Sequence, residues 1–160
     1  MRKGTIGFAL AVLLTSLVPT VLARRSASVP ILEFRTMVGV FDPFLGSANP
    51  IRGVNGAGAA WKIEEGRGEL REDGKLEIKV RGLVLLSGVN PVPNFRGLVS
   101  CMTVDELNLP TVTNVSTGDF PATNTGDSDI EASVQLPEPC IAPIVFVTSP
   151  GGSWFAVTGN

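Results

Sequence analysis

The chain has 160 residues and a formal net charge of −2 from 13 basic and 15 acidic residues, so we expect one domain and no strong field that would attract nucleic acid. Histidine is absent, which removes the commonest general base and the commonest metal ligand. With 18 glycines, 12 prolines and 44% hydrophobic residues, the chain is too apolar for disorder and too rich in turn formers for a helix bundle, which favours an all-β fold.

The first 23 residues have the three parts of a secretory signal peptide. Two basic residues open the segment, an apolar run follows, and Pro19 precedes a cleavage site after Ala23. We therefore predict a cleaved leader over 1–23 and a short tether over 24–30. The alternative is an uncleaved membrane anchor, because the apolar stretch is just long enough to span a bilayer.

Residues 31 to 41 alternate between apolar and polar side chains, which predicts a strand with one buried face. The apolar side of this alternation consists of Leu32, Phe34, Val38 and Val40. The next segment, 42 to 59, is dense in glycine, proline and asparagine and has no period. It predicts a long loop, and loops of this length are often functional or mobile.

A charged hairpin is predicted next. Leu76, Ile78 and Val80 alternate with charged residues, which requires a strand with an apolar inner face and a charged outer face. Asp73-Gly74 marks the turn that joins this strand to the preceding one.

The faces of the two strands decide the type of this turn. A two-residue turn would put Leu70 on the same face as Glu77, whereas a three-residue loop with Gly74 in the left-handed region puts Leu70 opposite Leu76. We predict the three-residue loop. This register also sets Glu69 against Glu77, so these like charges must splay apart or find diagonal partners.

The run FRGLVSCMTV, which follows a bend over 87–94, predicts a further strand. Because both of its faces carry apolar residues, we expect it to be central or covered on both sides. One face holds Phe95, Val99 and Cys101, and the other holds Leu98 and Met102.

A polar stretch with one weak strand, 111 to 115, precedes the strand DIEASVQL, 129 to 136. Asp127, Asp129 and Glu131 place oxygen ligands at alternate positions, which a hard cation such as calcium could use. The solvent face of an ordinary strand explains the same spacing.

The last two strands, IVFVT and SWFAV, are joined by Ser149-Pro150-Gly151-Gly152. We expect Pro150 at the second turn position and a positive φ at Gly151, the third. Prolines bracket Cys140 where the first of these strands begins.

Cys101 and Cys140 are the only cysteines of a chain predicted to mature in an oxidising compartment, so we expect one disulfide bond between them. A thiolate metal site or a reactive nucleophile needs a histidine or a further thiol, which the chain does not supply. Altogether the sequence predicts an antiparallel, Greek-key, immunoglobulin-like β-sandwich of seven or eight strands over residues 31–160.

Part of this pattern is similar to that of a known family, and the similar positions are Gly68, Leu70, Asp73-Gly74-Lys75-Leu76, Ile78, Val80 and Gly82-Leu83. It resembles the opening of a chordin-type (CHRD) domain, a Greek-key sandwich similar in outline to copper/zinc superoxide dismutase. The ending PCIAPIVFVTSPGGSWFAVTG also resembles that of secreted bacterial proteins of unassigned function. The dismutase holds its metals through histidine, which this chain lacks. The resemblance therefore implies a sandwich but no dismutase chemistry.

Two sets of residues could carry chemistry or binding. Glu64 and Glu65 could meet Asp105 and Glu106 as paired carboxylates for glycoside hydrolysis, although solvated surface charge explains them as well. The two tryptophans, at 61 and 154, could form a binding platform or belong to the core.

We therefore expect a secreted, non-enzymatic module without a cofactor, with a binding or structural role at the cell envelope or extracellular matrix. Its partner would be a protein or envelope component, and it would meet a membrane only through an uncleaved leader. We expect an interaction surface on the loops 42–58 and 87–94. The alternatives are a carboxylate-based or calcium-dependent hydrolase and a fibre-forming or adhesive subunit assembled through an open sheet edge.

Overall fold

The structure, a computed structural model, describes residues 28–159, which form twelve strands and no helix. The predicted leader and residues 24–27 of the tether lie outside the described residues. No apolar helix of membrane-spanning length occurs between residues 28 and 159. The strands are β1 (Pro30–Phe34), β2 (Met37–Gly39), β3 (Trp61–Lys62), β4 (Glu65–Arg71), β5 (Lys75–Arg81), β6 (Val84–Leu85), β7 (Asn94–Val104), β8 (Pro110–Ser116), β9 (Phe120–Pro121), β10 (Ser128–Ser133), β11 (Ile141–Thr148) and β12 (Trp154–Thr158).

The strands form two main sheets. A four-stranded sheet has the order β1-β4-β5-β10, and a six-stranded sheet has the order β2-β12-β11-β7-β8 with β9 also paired to β7. β3 and β6 form a separate pair, and every pairing between named strands is antiparallel. The predicted all-β antiparallel fold is confirmed, and its Greek-key connectivity stays a prediction. The predicted count of seven or eight strands is not confirmed, since the described residues form twelve.

The two main sheets pack face to face around one core. Gly97 on β7 marks their contact: a Cβ there would lie 2.9 Å from Cδ2 of Leu76 and 3.1 Å from Cδ1 of Ile78 on β5. An aromatic cluster fills the same interior. The rings of Trp61 and Phe155 stack with centroids 4.0 Å apart, and the ring of Phe95 lies edge-on to Phe155 at 5.7 Å.

The β4–β5 hairpin has the predicted register. Leu70 is paired with Leu76, and Gly74 has a φ of +82°. The amide of Gly74 donates to the carbonyl oxygen of Arg71 at 2.9 Å, which closes a three-residue loop. The requirement that Leu70 and Leu76 both be buried was therefore sufficient to predict the type of turn.

The single strand predicted over 31–41 is wrong. The chain crosses from one sheet to the other at Arg35-Thr36, between β1 and β2, and the alternation slips by one residue there. Met37 is consequently buried, with 7% exposure, and Val38 is exposed, with 45%. The side chain of Met37 fits here because Gly66 has no side chain. A Cβ on Gly66 would lie 2.6 Å from the Cβ of Met37.

The turn of the last hairpin also differs from the prediction. The positive φ, +88°, belongs to Gly152 and not to Gly151. The amide of Gly152 donates to the carbonyl oxygen of Ser149 at 2.9 Å, and the amide of Ser149 donates to that of Ser153 at 2.8 Å. The turn therefore has three residues with glycine last, as in the β4–β5 hairpin.

Three other predicted strands are present with changed bounds. The weak strand becomes β8, with seven residues, and DIEASVQL pairs with β5 only as far as Ser133, in β10. β7 lies between β11 and β8 and is buried on both faces from Leu98 to Cys101, although Met102 is exposed. The expectation of a covered strand holds for this part of β7.

The predicted disulfide bond joins Cys101 on β7 to Cys140 just before β11, with Cα atoms 4.9 Å apart. Cys101 is fully buried on the inner face of β7. The bond indicates that the chain matures in an oxidising environment.

Gly68→Ala is expected to lower the free energy of unfolding by about 1–3 kcal/mol, as for other overpacked sites. A Cβ on Gly68 would lie 2.0 Å from the carbonyl oxygen of Glu77 and 2.8 Å from Cζ of Phe34, and the backbone carbonyl cannot move without disturbing β5. Gly58→Ala is the control, because nothing lies within 4 Å of its Cβ position. Urea unfolding of both variants tests this, and equal stability would contradict the tight approach of β4 to β5.

Candidate functional site

The outward face of the four-stranded sheet, here called the charged face, carries charged side chains on all four strands and on Arg35, which directly follows β1. The alternating residues of these strands point away from the core, as predicted for the β4–β5 hairpin. Six acids and six bases lie on this face: Glu33, Glu65, Glu69, Glu77, Asp129 and Glu131, with Arg35, Arg67, Arg71, Lys75, Lys79 and Arg81.

Four glutamates face one another across the whole sheet. Glu33 is paired with Glu69, Glu69 with Glu77, and Glu77 with Glu131. Neighbouring strands lie about 4.8 Å apart, so this glutamate row extends over about 14 Å. Like charges directly opposite one another destabilise a sheet, so the row opposes the stability of the fold.

A second row lies two residues further along the strands, at about 6.8 Å. In it Arg67 is paired with Lys79, and Lys79 with Asp129. A hollow of about 460 Å³ is lined by residues of both rows and by Arg35. The charged face therefore offers mainly negative charge on one side of this hollow and mainly positive charge on the other.

Ion pairs along the strands hold the middle of the glutamate row. A carboxylate oxygen of Glu69 lies 2.7 Å from the guanidinium of Arg71, and Glu77 pairs with the ammonium of Lys75. Hydrogen bonds to these carboxylates raise the pKa of Arg71 and that of Lys75 above their ordinary values. The ion-pair partners of Glu69 and Glu77 thus lie on the same strands as the glutamates themselves and not diagonally across the hairpin.

The ends of the row differ from its middle. Among residues 28–159, neither Glu33 nor Glu131 has an ion-pair partner. Asp129, in the second row, pairs with the guanidinium of Arg81 at 2.8 Å. Both end glutamates, Glu33 and Glu131, are exposed.

The three calcium candidates, Asp127, Asp129 and Glu131, each have different surroundings in the structure. The carboxylate of Asp127 accepts hydrogen bonds from the amide of Gly82 at 3.0 Å and the hydroxyl of Thr125 at 3.1 Å. Asp129 binds Arg81, and Glu131 ends the glutamate row. Over the described range, no group of three histidine, cysteine, aspartate or glutamate side chains is arranged to hold a metal ion.

The carboxylates considered for hydrolysis are not brought together. Glu64 and Glu65 lie at the end of the four-stranded sheet that is near the start of β7. At this end the hydroxyl of Ser128 on β10 donates to the carbonyl oxygen of Pro121, and the strand of Pro121, β9, pairs with the first residues of β7. Asp105 follows the other end of β7, whose eleven residues extend over about 33 Å, and its carboxylate accepts hydrogen bonds from the amides of Leu107 and Leu109. Asp105 thus shapes a turn.

Both tryptophans belong to the core and not to a platform. Trp61 and Trp154 are almost completely buried. The ring of Trp154 lies on the outer face of the six-stranded sheet, between Phe146 at 6.0 Å and Phe44 at 6.4 Å. Phe44 comes from the loop 42–58, which therefore covers this face.

Further hydrogen bonds fix the two loops that the sequence suggested as interaction surfaces. In the first loop, the guanidinium of Arg52 donates to the carbonyl oxygen of Ser100 at 2.9 Å. In the second, the side-chain amide of the buried Asn90 donates to the carbonyl oxygens of Val92 and Thr123, both at 2.8 Å. Both loops are thus attached to the sheets by hydrogen bonds, while residues 47–50 and 87–89 within them are exposed.

Half of the glutamate row is predictable from the sequence. Glu69 is predicted opposite Glu77 because the turn between them fixes the register. Glu33 and Glu131 also lie on the polar side of alternating patterns, but no short turn connects their strands to the hairpin. The comparisons add no further information, since no protein-family model, curated protein or solved structure matches this chain.

Proposed function

We propose that this protein is a secreted, non-enzymatic binding module of the cell envelope or extracellular matrix, and that its charged face holds an extended ligand with charges of both signs. The observation that carries this proposal is the 460 Å³ hollow between the glutamate row and the parallel row of Arg67 and Lys79. Secretion is supported by the predicted leader and by the disulfide bond.

The spacing of the two rows fits a ligand in the form of an extended peptide. In an extended peptide, side chains on one face repeat every ~6.8 Å, which is the distance between the two rows. A peptide that lies along the strands would therefore present a cation to the glutamate row and an anion to the second row. The face has equal numbers of acids and bases, so it offers no net field for a nucleic acid.

The cost of the glutamate row also favours a binding role. A sheet face needs no acid opposite another acid. Glu33 and Glu131 face Glu69 and Glu77 without ion-pair partners of their own among the described residues, which lowers the stability of the fold. Features that oppose stability are expected where a site serves a ligand. The chordin-type resemblance fits a secreted sandwich of this kind and stays a proposal.

Titration calorimetry with defined peptides tests the proposal. The probe is the blocked peptide Lys-Thr-Glu-Thr-Lys-Thr-Glu, with versions in which all charged residues are lysine or all are glutamate. We expect the mixed peptide to bind most tightly and its affinity to fall as salt is added, because the contacts are exposed ion pairs. Equal binding of the three peptides, or none at low salt, would refute the charge pattern.

Glu33→Gln/Glu131→Gln is the decisive variant. We expect it to weaken binding of the mixed peptide about two- to fivefold, because the lysine that meets the glutamate row loses the two carboxylates that have no other ion-pair partner, which is worth about one exposed ion pair. Its stability should stay equal or rise by about 0.5 kcal/mol, because like charges no longer face each other. The control Glu106→Gln/Glu138→Gln removes the same charge at two exposed positions outside the strands of this sheet and should bind as the unchanged protein does.

A further inference from the structure

β8 is an edge of the six-stranded sheet with one side unpaired. Its seven residues pair with β7 on the other side, in register from Ser116 opposite Leu98 to Pro110 opposite Val104. Within the described chain, the main chain of 110–116 makes no hydrogen bond to any other segment. Such a row of amides and carbonyls is a template for a further strand.

This edge lacks the protection that the other edges have. Residues 107–118 contain no charged side chain, and the only proline of β8 is its first residue. By contrast, β1 carries Glu33, β10 carries Asp129 and Glu131, and β2 has only three residues. Of the main-sheet edges that the structure describes, β8 alone is both long and uncharged.

An exposed apolar stripe leads to the same edge. Ile141, Met102 and Val112 lie side by side across β11, β7 and β8, and 55%, 45% and 41% of their surfaces are exposed. Leu107 and Leu109, in the turn between β7 and β8, are also largely exposed. Exposed apolar residues that form a contiguous group mark an interaction surface.

We propose that two copies of this chain pair through β8, antiparallel and related by a two-fold axis. In such an interface each residue meets residues of the same segment, so any charge on β8 would face its own kind. A strand without charge has no such penalty in any register. The two stripes then meet at the seam and shield one another from water.

The same geometry predicts a closed dimer. Among residues 28–159, the other edge of the six-stranded sheet is β2, with three residues, so growth from copy to copy has no second strand of comparable length there. A two-fold pairing consumes β8 on both copies and leaves the charged face of each copy free for its ligand.

Sedimentation velocity of the purified protein between about 1 and 500 µM tests this pairing. We expect a monomer–dimer equilibrium, at least tenfold weaker in Val112→Lys, because two added ammonium groups lie close together at the seam. Val38→Lys is the matched control: Val38 is 45% exposed on β2, at the opposite edge of the same sheet. It should dimerise as the unchanged protein does.

Hydrogen exchange locates the interface in the same samples. The amides of 110–116 that face away from β7 should exchange more slowly as concentration rises. A monomer at every concentration, an equal effect of both lysine variants, or growth beyond the dimer would overturn the proposal. Glu33→Gln/Glu131→Gln should dimerise normally, so a failure of β8 pairing is distinguishable from a failure of ligand binding on the charged face.

Discussion

Replacing both cysteines, Cys101→Ala/Cys140→Ala, is expected to lower the free energy of unfolding by about 4 kcal/mol. The bond closes a loop with a sequence separation of 39 residues, and the chain-entropy model gives this value for a loop of that length. It also fastens the segment before β11 to β7 in the core. The change is measured as the shift of the urea unfolding midpoint at constant slope.

Reduction of the unchanged protein is the control for this prediction. A reducing agent should lower its stability by about the same amount and leave the double variant unaffected, because the variant has no thiol. A loss below about 1 kcal/mol in the double variant would mean that the bond restrains little of the unfolded chain.

Phe95→Ala is expected to lower the free energy of unfolding by about 3–5 kcal/mol, as for other large-to-small changes of buried aromatic residues. Phe95 is fully buried, and its ring packs edge-on against Phe155 and Trp61 with centroids 5.7 and 6.5 Å away. Its removal leaves a cavity between these rings that the two sheets cannot close.

Phe41→Ala serves as the control, because the side chain of Phe41 is exposed beside the crossing from β2 to the loop 42–58. This variant should remain within about 0.5 kcal/mol of the unchanged protein. If the two variants were equally stable, the aromatic cluster would not be the centre of the core.

Local patterns in the sequence were sufficient to predict strands and turns that belong to a single hairpin. The parity of Leu70 and Leu76 selected the three-residue turn, and the strands on either side of Ser149 to Gly152 were found because a turn signal separates two apolar runs. The pairing of Cys101 with Cys140 followed from their being the only two thiols.

Contacts between distant segments were not predictable in the same way. The apolar and polar letters of the sequence continue to alternate through Arg35-Thr36, so they do not reveal the crossing, and only the room left by Gly66 shows why Met37 turns inward. The loop 42–58 has the composition of a free loop, yet it covers Trp154. The glutamate row depends on the register of β1 and β10, which no short connection fixes.

Binding of a ligand by the charged face is the central claim, and amide chemical shifts of labelled protein test it most directly. On titration with the mixed-charge peptide, the largest shift changes should fall on Glu33, Glu69, Glu77 and Glu131 and on Lys79 in the second row. Changes centred on the loops 42–58 and 87–94, or on the β8 edge, would place the ligand elsewhere and contradict the account.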